Sequence, residues 1–265
     1  MLGIFDSGLG GLTVVKEVIR QMPDLPFLYL GDTARTPYGN KSREMVENYA
    51  LGDTKFLMEK GAQIIIVACN TASTNAMEVL RKNFSLPIFE VVTPAVKEAL
   101  KVSTKKRIAV IGTRATINSG IYEKKIKELG GTQMVVTSQA CPLLVSLVEE
   151  GWLDEAETKR IVKKYLQGLK TKNVDTLILG CTHYPLIKKI IQKAIGKRVR
   201  IIDSAQSVAQ EVKKYLDSHV ALKEEILKDK ASNAAYFVTD ITPHFQQIAE
   251  KFLSNRIKLE KVVLE

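Results

Sequence analysis

Ile65-Ile-Val-Ala-Cys69-Asn-Thr71 and Leu177-Ile-Leu-Gly-Cys181-Thr-His183 are two versions of one pattern: an apolar run, a cysteine at its end, then small polar residues before amphipathic sequence. The apolar run suits a buried strand, and the polar residues after the cysteine suit the start of a helix. Leu2-Gly-Ile-Phe-Asp6-Ser7-Gly8 is echoed more loosely by Ala109-Val-Ile-Gly-Thr113-Arg114. The cysteines stand 112 positions apart, and Ser7 and Thr113 stand 106 apart. Near-equal offsets predict a duplicated α/β chain: two similar three-layer domains with mostly parallel sheets, pseudo-twofold related, and a ligand cleft between them. The first domain is expected over residues 1–95 plus 207–265 and the second over 96–206, with the polar stretch Ser103 to Lys106 as the join.

Outward from these turns the alternation continues. Strands are expected over 2–5, 27–31, 64–68, 88–92, 108–112, 132–138, 176–180, 199–203 and 235–240. Helices are expected over 14–21, 42–60, 74–83, 94–101, 121–129, 154–170, 186–194, 205–227 and 243–254. With 265 residues, 45% hydrophobic and 26% charged, the chain has material for one large core or two small ones. Neither an apolar run of about 20 residues nor a basic leader with an apolar segment is present, which points to a cytoplasmic protein without a membrane span. Three well-separated cysteines with no C-x-x-C pair fit free thiols rather than a disulfide framework or a zinc ribbon. The net charge of +10 raises a nucleic-acid partner, but the lysines are scattered over separate helix faces and strand starts, as solvated charges are.

A thiol at a helix N-terminus meets unpaired N–H groups and the positive dipole end, so both Cys69 and Cys181 are expected to be shifted toward thiolate. Cys141 lacks that setting and reads as structural. A cysteine hydrolase needs one nucleophile with a base, and a redox pair needs two sulfurs that can bond. Two equivalent thiols facing one cleft suit a third chemistry, epimerisation at a carbon acid, in which one group removes a proton from one face and another supplies one to the opposite face. The loop Gly8-Leu-Gly-Gly11 has neither G-x-G-x-x-G spacing nor a Gly-Lys-Ser/Thr ending, which argues against a nucleotide cradle. No short-range ligand pair supports a metal, and no lysine has a recognisable Schiff-base setting, so no cofactor is expected.

The motifs Gly3-Ile-Phe-Asp-Ser-Gly-Leu-Gly-Gly, Gly31-Asp-Thr-Ala-Arg-Thr-Pro-Tyr-Gly, Ala68-Cys-Asn-Thr-Ala-Ser, Gly112-Thr-Arg-Ala-Thr, Cys141-Pro-Leu-Leu-Val-Ser-Leu-Val-Glu and Gly180-Cys-Thr-His-Tyr-Pro run through most of the chain. Together they resemble the glutamate racemases of the aspartate/glutamate racemase superfamily, which supply D-glutamate for peptidoglycan. The resemblance implies that Cys69 and Cys181 are the acid and base pair, Cys69 acting on D-glutamate and Cys181 on L-glutamate. It implies that Asp6 assists Cys69, that Glu149 and His183 assist Cys181, and that Asp6, Ser7, Tyr38, Gly39, Asn70, Thr71, Thr182 and His183 hold the substrate, with Thr113 and Thr116 as further contacts. A homodimer is a family expectation. The chain departs from the family at Ser146, where proline is common, at Glu90, where glycine is usual, and in Tyr236-Phe-Val-Thr-Asp-Ile. Rival readings are an aspartate racemase using the same thiols, a basic binding protein, and a single-thiol hydrolase or decarboxylase.

Overall fold

The computed structural model describes residues 1–228 and 234–264. The first half runs β1 (Leu2–Asp6), α1 (Leu12–Gln21), β2 (Phe27–Gly31), α2 (Arg43–Glu59), β3 (Ile64–Val67), α3 (Asn70–Asn75), α4 (Met77–Asn83) and β4 (Ile88–Glu90). The chain crosses through α5 (Val92–Val102) into β5 (Arg107–Gly112), α6 (Arg114–Asn118), α7 (Ile121–Gly130), β6 (Val135–Ala140), α8 (Leu143–Glu149), α9 (Ala156–Lys170), β7 (Thr176–Gly180), α10 (Lys188–Ile195) and β8 (Arg200–Asp203). It returns through α11 (Ser204–Ser218), α12 (Val220–Lys228), β9 (Ala234–Val238), α13 (Pro243–Leu253) and β10 (Leu259–Lys261).

All strand pairs are parallel, in one sheet of order β10-β9-β2-β1-β3-β4 and another of order β6-β5-β7-β8. Parallel strands covered on both faces must be apolar on both. Ile64 and Ile66 of β3 accordingly join the core beneath α1, α11 and α13, while Ile65 and Val67 join the core beneath α2, α3 and α4. In the second sheet Leu177 and Leu179 of β7 face α8, α9 and α10, and Ile178 faces α5 and α7. Each sheet is thus the middle of three layers.

The orders β2-β1-β3-β4 and β6-β5-β7-β8 correspond strand for strand. Phe5 pairs with Val67 and Ile111 with Leu179, so the duplication seen in the sequence reappears as strand register. The crossing points differ from the sequence expectation. Val92, Ala95, Val96 and Ala99 of α5 pack in the second half's core, so the chain leaves the first sheet just after β4 and not at Ser103 to Lys106. Ala205, Val208, Ala209 and Val212 of α11 pack under the first sheet, so the return falls at the start of that helix. The limits 95/96 and 206/207 both cut helices, because polarity marks solvent exposure rather than which sheet a helix covers. Of the first-domain range, residues 229–233 and 265 lie outside the described residues.

Local departures have local causes. Two short helices, α6 and α8, go unseen in the hydrophobic periodicity; α8 has seven residues between Pro142 and Gly151, too few to establish a period. The helix expected over 205–227 breaks at His219. Glu90 has a role at the crossing: its carboxylate accepts from the backbone N–H groups of Val92 (2.5 Å) and Thr93 (3.0 Å), capping α5. Among the described residues no helix is long and apolar enough to cross a membrane.

Candidate active site

The carboxyl ends of β1, β3, β5 and β7 point at one another across the two halves, and a narrow cleft there is lined by Ser7, Pro37, Gly39, Cys69, Asn70, Thr71, Thr113, Val145, Cys181, Thr182 and His183. Ligands in open parallel sheets bind at these strand ends because loops and helix N-termini gather there. Both thiols reach the cleft, each only 5% exposed.

Cys69 follows β3 and stands at the start of α3. Its thiol donates to Ser7 Oγ at 3.8 Å. Burial, reinforced by the nearby Asp6 carboxylate, pushes the thiol up to about 12, although the Ala72 N–H and Ser7 pull the other way. This corrects the expectation of a lowered value: desolvation outweighs the N-terminal N–H groups of a six-residue helix.

Asp6 is fully buried at the end of β1. Its Oδ2 accepts from the backbone N–H of Gly8 (3.1 Å) and Gly11 (2.9 Å), and its Oδ1 accepts from Thr182 Oγ1 (3.1 Å), a bond between the halves. Burial raises it to about 6 against the opposing charge of His183 and these donors. The glycine loop is therefore wrapped around a carboxylate. Gly10 is required where it passes the other half, since a Cβ would strike Thr182 Oγ1 and lie 2.6 Å from His183 Nδ1.

Cys181 follows β7, but an irregular turn and a single 3-10 turn, Tyr184–Ile187, separate it from α10, so it does not sit at an α-helix N-terminus. Its sulfur lies 3.7 Å from His183 Nδ1, and His183 Nε2 lies 2.5 Å from Glu149 Oε1 at the end of α8. Burial works against the imidazolium, but the Glu149 carboxylate and the Cys181 sulfur more than compensate and hold His183 well above its ordinary value.

The remaining residues singled out by sequence divide cleanly. Thr71, Thr113 and Thr116 form a triangle of hydroxyls at 3.0, 3.3 and 3.0 Å that spans the halves. Gly39 lies against Thr113, where a Cβ would come within 2.5 Å of Thr113 Cβ. Tyr38 lies between the lining residues Pro37 and Gly39 but does not itself line the cleft: its hydroxyl donates to Asp32 and also lies 2.9 Å from Asp53 Oδ2. Cys141 is buried, with Sγ 3.6 Å from Gln139 O. Among the described residues no group of three His, Cys, Asp or Glu side chains converges as metal ligands do.

Sequence reasoning missed the supports behind this layer. Tyr29 donates to Gly8 O (2.5 Å), Tyr122 donates to Asn70 Oδ1 (2.6 Å), and Asp32, Arg35 and Asp53 surround the Tyr38 hydroxyl. Asp32 and Arg35 lie in the Gly31-to-Gly39 motif without their role being read there, and Tyr29, Tyr122 and Asp53 act on partners 15 to 52 residues away in the chain. Asp53, fully buried in the middle of α2, is likewise ordinary in its own helix sequence.

Comparison with known proteins meets this geometry from outside. The Asp/Glu/Hydantoin racemase family profile matches residues 13–212. The chain is 46% identical over 252 residues to a glutamate racemase of Aquifex pyrophilus, covering 95% of this chain and 93% of the relative, and 43% identical over 256 residues to one of Geobacter metallireducens, covering 97% and 93%. Among solved structures, a glutamate racemase of Bacillus anthracis aligns with a TM-score of 0.92 at 40% identity over 100% of this chain and 97% of the other. One of Francisella tularensis, in complex with D-glutamate, aligns with a TM-score of 0.90 at 35% identity over the same shares.

Proposed function

The chain belongs to the Asp/Glu/Hydantoin racemase family, as an amino-acid racemase of the glutamate racemase group, and from that premise we propose that it interconverts L- and D-glutamate by passing the α-proton between Cys69 and Cys181. The observation that carries this reading is the placement of two thiols, from equivalent turns of two halves, in one cleft, each with its own proton-handling neighbour.

In the L-to-D direction Cys181, as thiolate, takes the α-proton, and the imidazolium of His183, fixed by Glu149, stabilises the thiolate beforehand. The electron pair left on Cα is protonated from the other face by the Cys69 thiol, whose high proton affinity keeps it loaded. Cys69 ends as thiolate and Cys181 as thiol. Proton exchange through Asp6 on one side and His183 on the other restores the starting state. The reverse direction exchanges the roles, Cys69 acting on D-glutamate with Asp6, raised to about 6, as the group that accepts its proton. Ser7, Gly39, Asn70, Thr71, Thr182 and His183, with Asp6 and the backbone of Tyr38, hold the substrate through hydroxyls, an amide and N–H groups. Thr113 and Thr116 complete the wall.

No cofactor takes part in this scheme. Supply of D-glutamate to peptidoglycan, a cytoplasmic location and a homodimer belong to the same proposal. Purified protein, treated with chelator and free of pyridoxal phosphate, is expected to bring the optical rotation of either glutamate enantiomer to zero while leaving aspartate unchanged; a static glutamate signal overturns the proposal. Light scattering of the eluted protein reports the dimer.

A further inference from the structure

Asn70 sits directly after Cys69, is 2% exposed and lines the cleft. Its carboxamide has two polar ends. Oδ1 accepts from the Tyr122 hydroxyl at 2.6 Å, whereas Nδ2 has no hydrogen-bond partner among the described residues. Buried amide donors are nearly always satisfied, and one left open beside a ligand cleft marks a group meant for the ligand.

The tyrosine settles which end is which. Its hydroxyl is buried, and its one described acceptor is Asn70 Oδ1. Were the amide reversed, Nδ2 would donate to the phenol oxygen, the phenol proton would be stranded and Oδ1 would face the cleft. Two buried polar groups would then be unsatisfied instead of one, and the cleft would present an acceptor to a carboxylate. Tyr122 itself has little freedom. It stands at the start of α7, just after Gly120 in the left-handed region (φ 68°), and its ring covers Gly180, where a Cβ would lie 3.2 Å from Cε2. Burial also keeps the phenol protonated, well above its ordinary value. The bond joins the halves, α7 of one holding the first residue of α3 of the other.

We propose that Tyr122 is a positioning residue: by donating to Asn70 Oδ1 it fixes the carboxamide with Nδ2 toward the cleft, as a donor to a carboxylate of the amino-acid substrate. The inference rests on the substrate reading above. It assigns to α7, outside every motif in the sequence, a share in substrate binding, and it makes the cost of losing the phenol hydroxyl fall on binding rather than on proton transfer.

The test is steady-state racemisation of glutamate by Tyr122→Phe, Asn70→Ala and the double variant, with thermal melting of each. Tyr122→Phe keeps the ring over Gly180 and is expected to raise KM about tenfold, the worth of one hydrogen bond to a charged group, with kcat within about twofold of the parent. Asn70→Ala is expected to raise KM at least as much, and in that background Tyr122→Phe adds nothing, because the amide it aims is gone. An unchanged KM in Tyr122→Phe overturns the inference. So does an equal Tyr122→Phe penalty with and without Asn70, which marks a general structural role. Should Tyr122→Phe melt below the assay temperature, Asn70→Ala alone decides, since an unchanged KM there removes the amide from binding. A parent that does not racemise glutamate refutes the substrate reading instead, and is distinguished by that fact.

Discussion

The two thiols occupy equivalent places in a repeated scaffold yet are served by different chemistry. By strand register, the position matching Asp6 in the second half is Gly112, and the position matching His183 in the first half is Thr71. Cys69 therefore has a buried carboxylate that raises its proton affinity, whereas Cys181 has an imidazole backed by a carboxylate on a separate helix. The repeated scaffold brings two strand ends to one cleft, as the proposed two-face proton transfer requires, and the proton partners differ between the halves. The divergence is hidden in ordinary kinetics. Enantiomers have equal free energies, so the equilibrium constant is one and kcat/KM must match in the two directions for parent and variants alike.

The comparison breaks first at the sulfurs. Cys69→Ser and Cys181→Ser are each expected to slow racemisation about a thousandfold or more, because a hydroxyl neither gives nor takes the proton near neutral pH; polarimetry checks this, and a variant keeping a tenth of the parent rate would mean that the thiols are not equivalent. A stability measurement separates the two proton partners. The folded-state value of Asp6 is raised from 3.8 to about 6, so the native state binds its proton more tightly than the unfolded chain. Its contribution is complete below about pH 4 and is lost as pH rises through about 6, a loss of about 3 kcal/mol. Denaturant melts of Asp6→Asn across that window are expected to lack this part of the parent's slope. His183 is also raised, with the same sign, but its window lies at higher pH, above its ordinary 6.5. Identical slopes in parent and Asp6→Asn would show that Asp6 is not the group titrating there.

Smaller effects sharpen the contrast. Asp6→Asn and Glu149→Gln are each expected to lower kcat/KM about a hundredfold, equally for both enantiomers. Substrates deuterated at Cα tell them apart. Weakening the Cys181 side makes removal of the L-proton limiting and enlarges the isotope effect on L-glutamate, and weakening the Cys69 side does so for D-glutamate. The same isotope pattern in both variants would contradict the assignment of partners. The smallest effect lies under Gly39, where only the first half has a buried acidic pair. Asp32 accepts from Arg35 Nε (2.6 Å), Thr239 (2.9 Å) and Tyr38. The Tyr38 hydroxyl has no second proton, so Asp53 must donate in the remaining contact and is neutral, as its burial and the Asp32 charge favour. Asp53→Asn is expected to leave KM within about twofold of the parent and Asp32→Asn to raise it about tenfold; equal effects in kinetic assays would undo that proton count.

Much of this was legible in the sequence. The Cys69 and Cys181 turns announced the duplication, and all nine expected strands formed; the inner strands β1, β2, β3 and β7, buried along their whole length, are the most plainly written, as near-continuous apolar runs. The three-residue edge strand β10, Leu-Glu-Lys, carries no such run. The thiol environment was only half legible. A strand followed by polar residues located the sulfurs, but their burial depends on what the other half lays over them, and burial decided the direction for Cys69. Tyr122 and Asp53 were illegible for the same reason: each is ordinary in its own helix and acts on a residue from another element.

The central claim, that two separate thiols work on opposite faces, is tested most directly by early-time racemisation of L-glutamate in deuterated water. NMR of the separated enantiomers reads the isotope at Cα. The account predicts deuterium at Cα of essentially all the D-glutamate formed, with the remaining L-glutamate still protiated, because the proton taken by one sulfur is not the one delivered by the other. D-glutamate that retains the substrate's own proton would contradict it, since that outcome requires a single group carrying the proton from face to face.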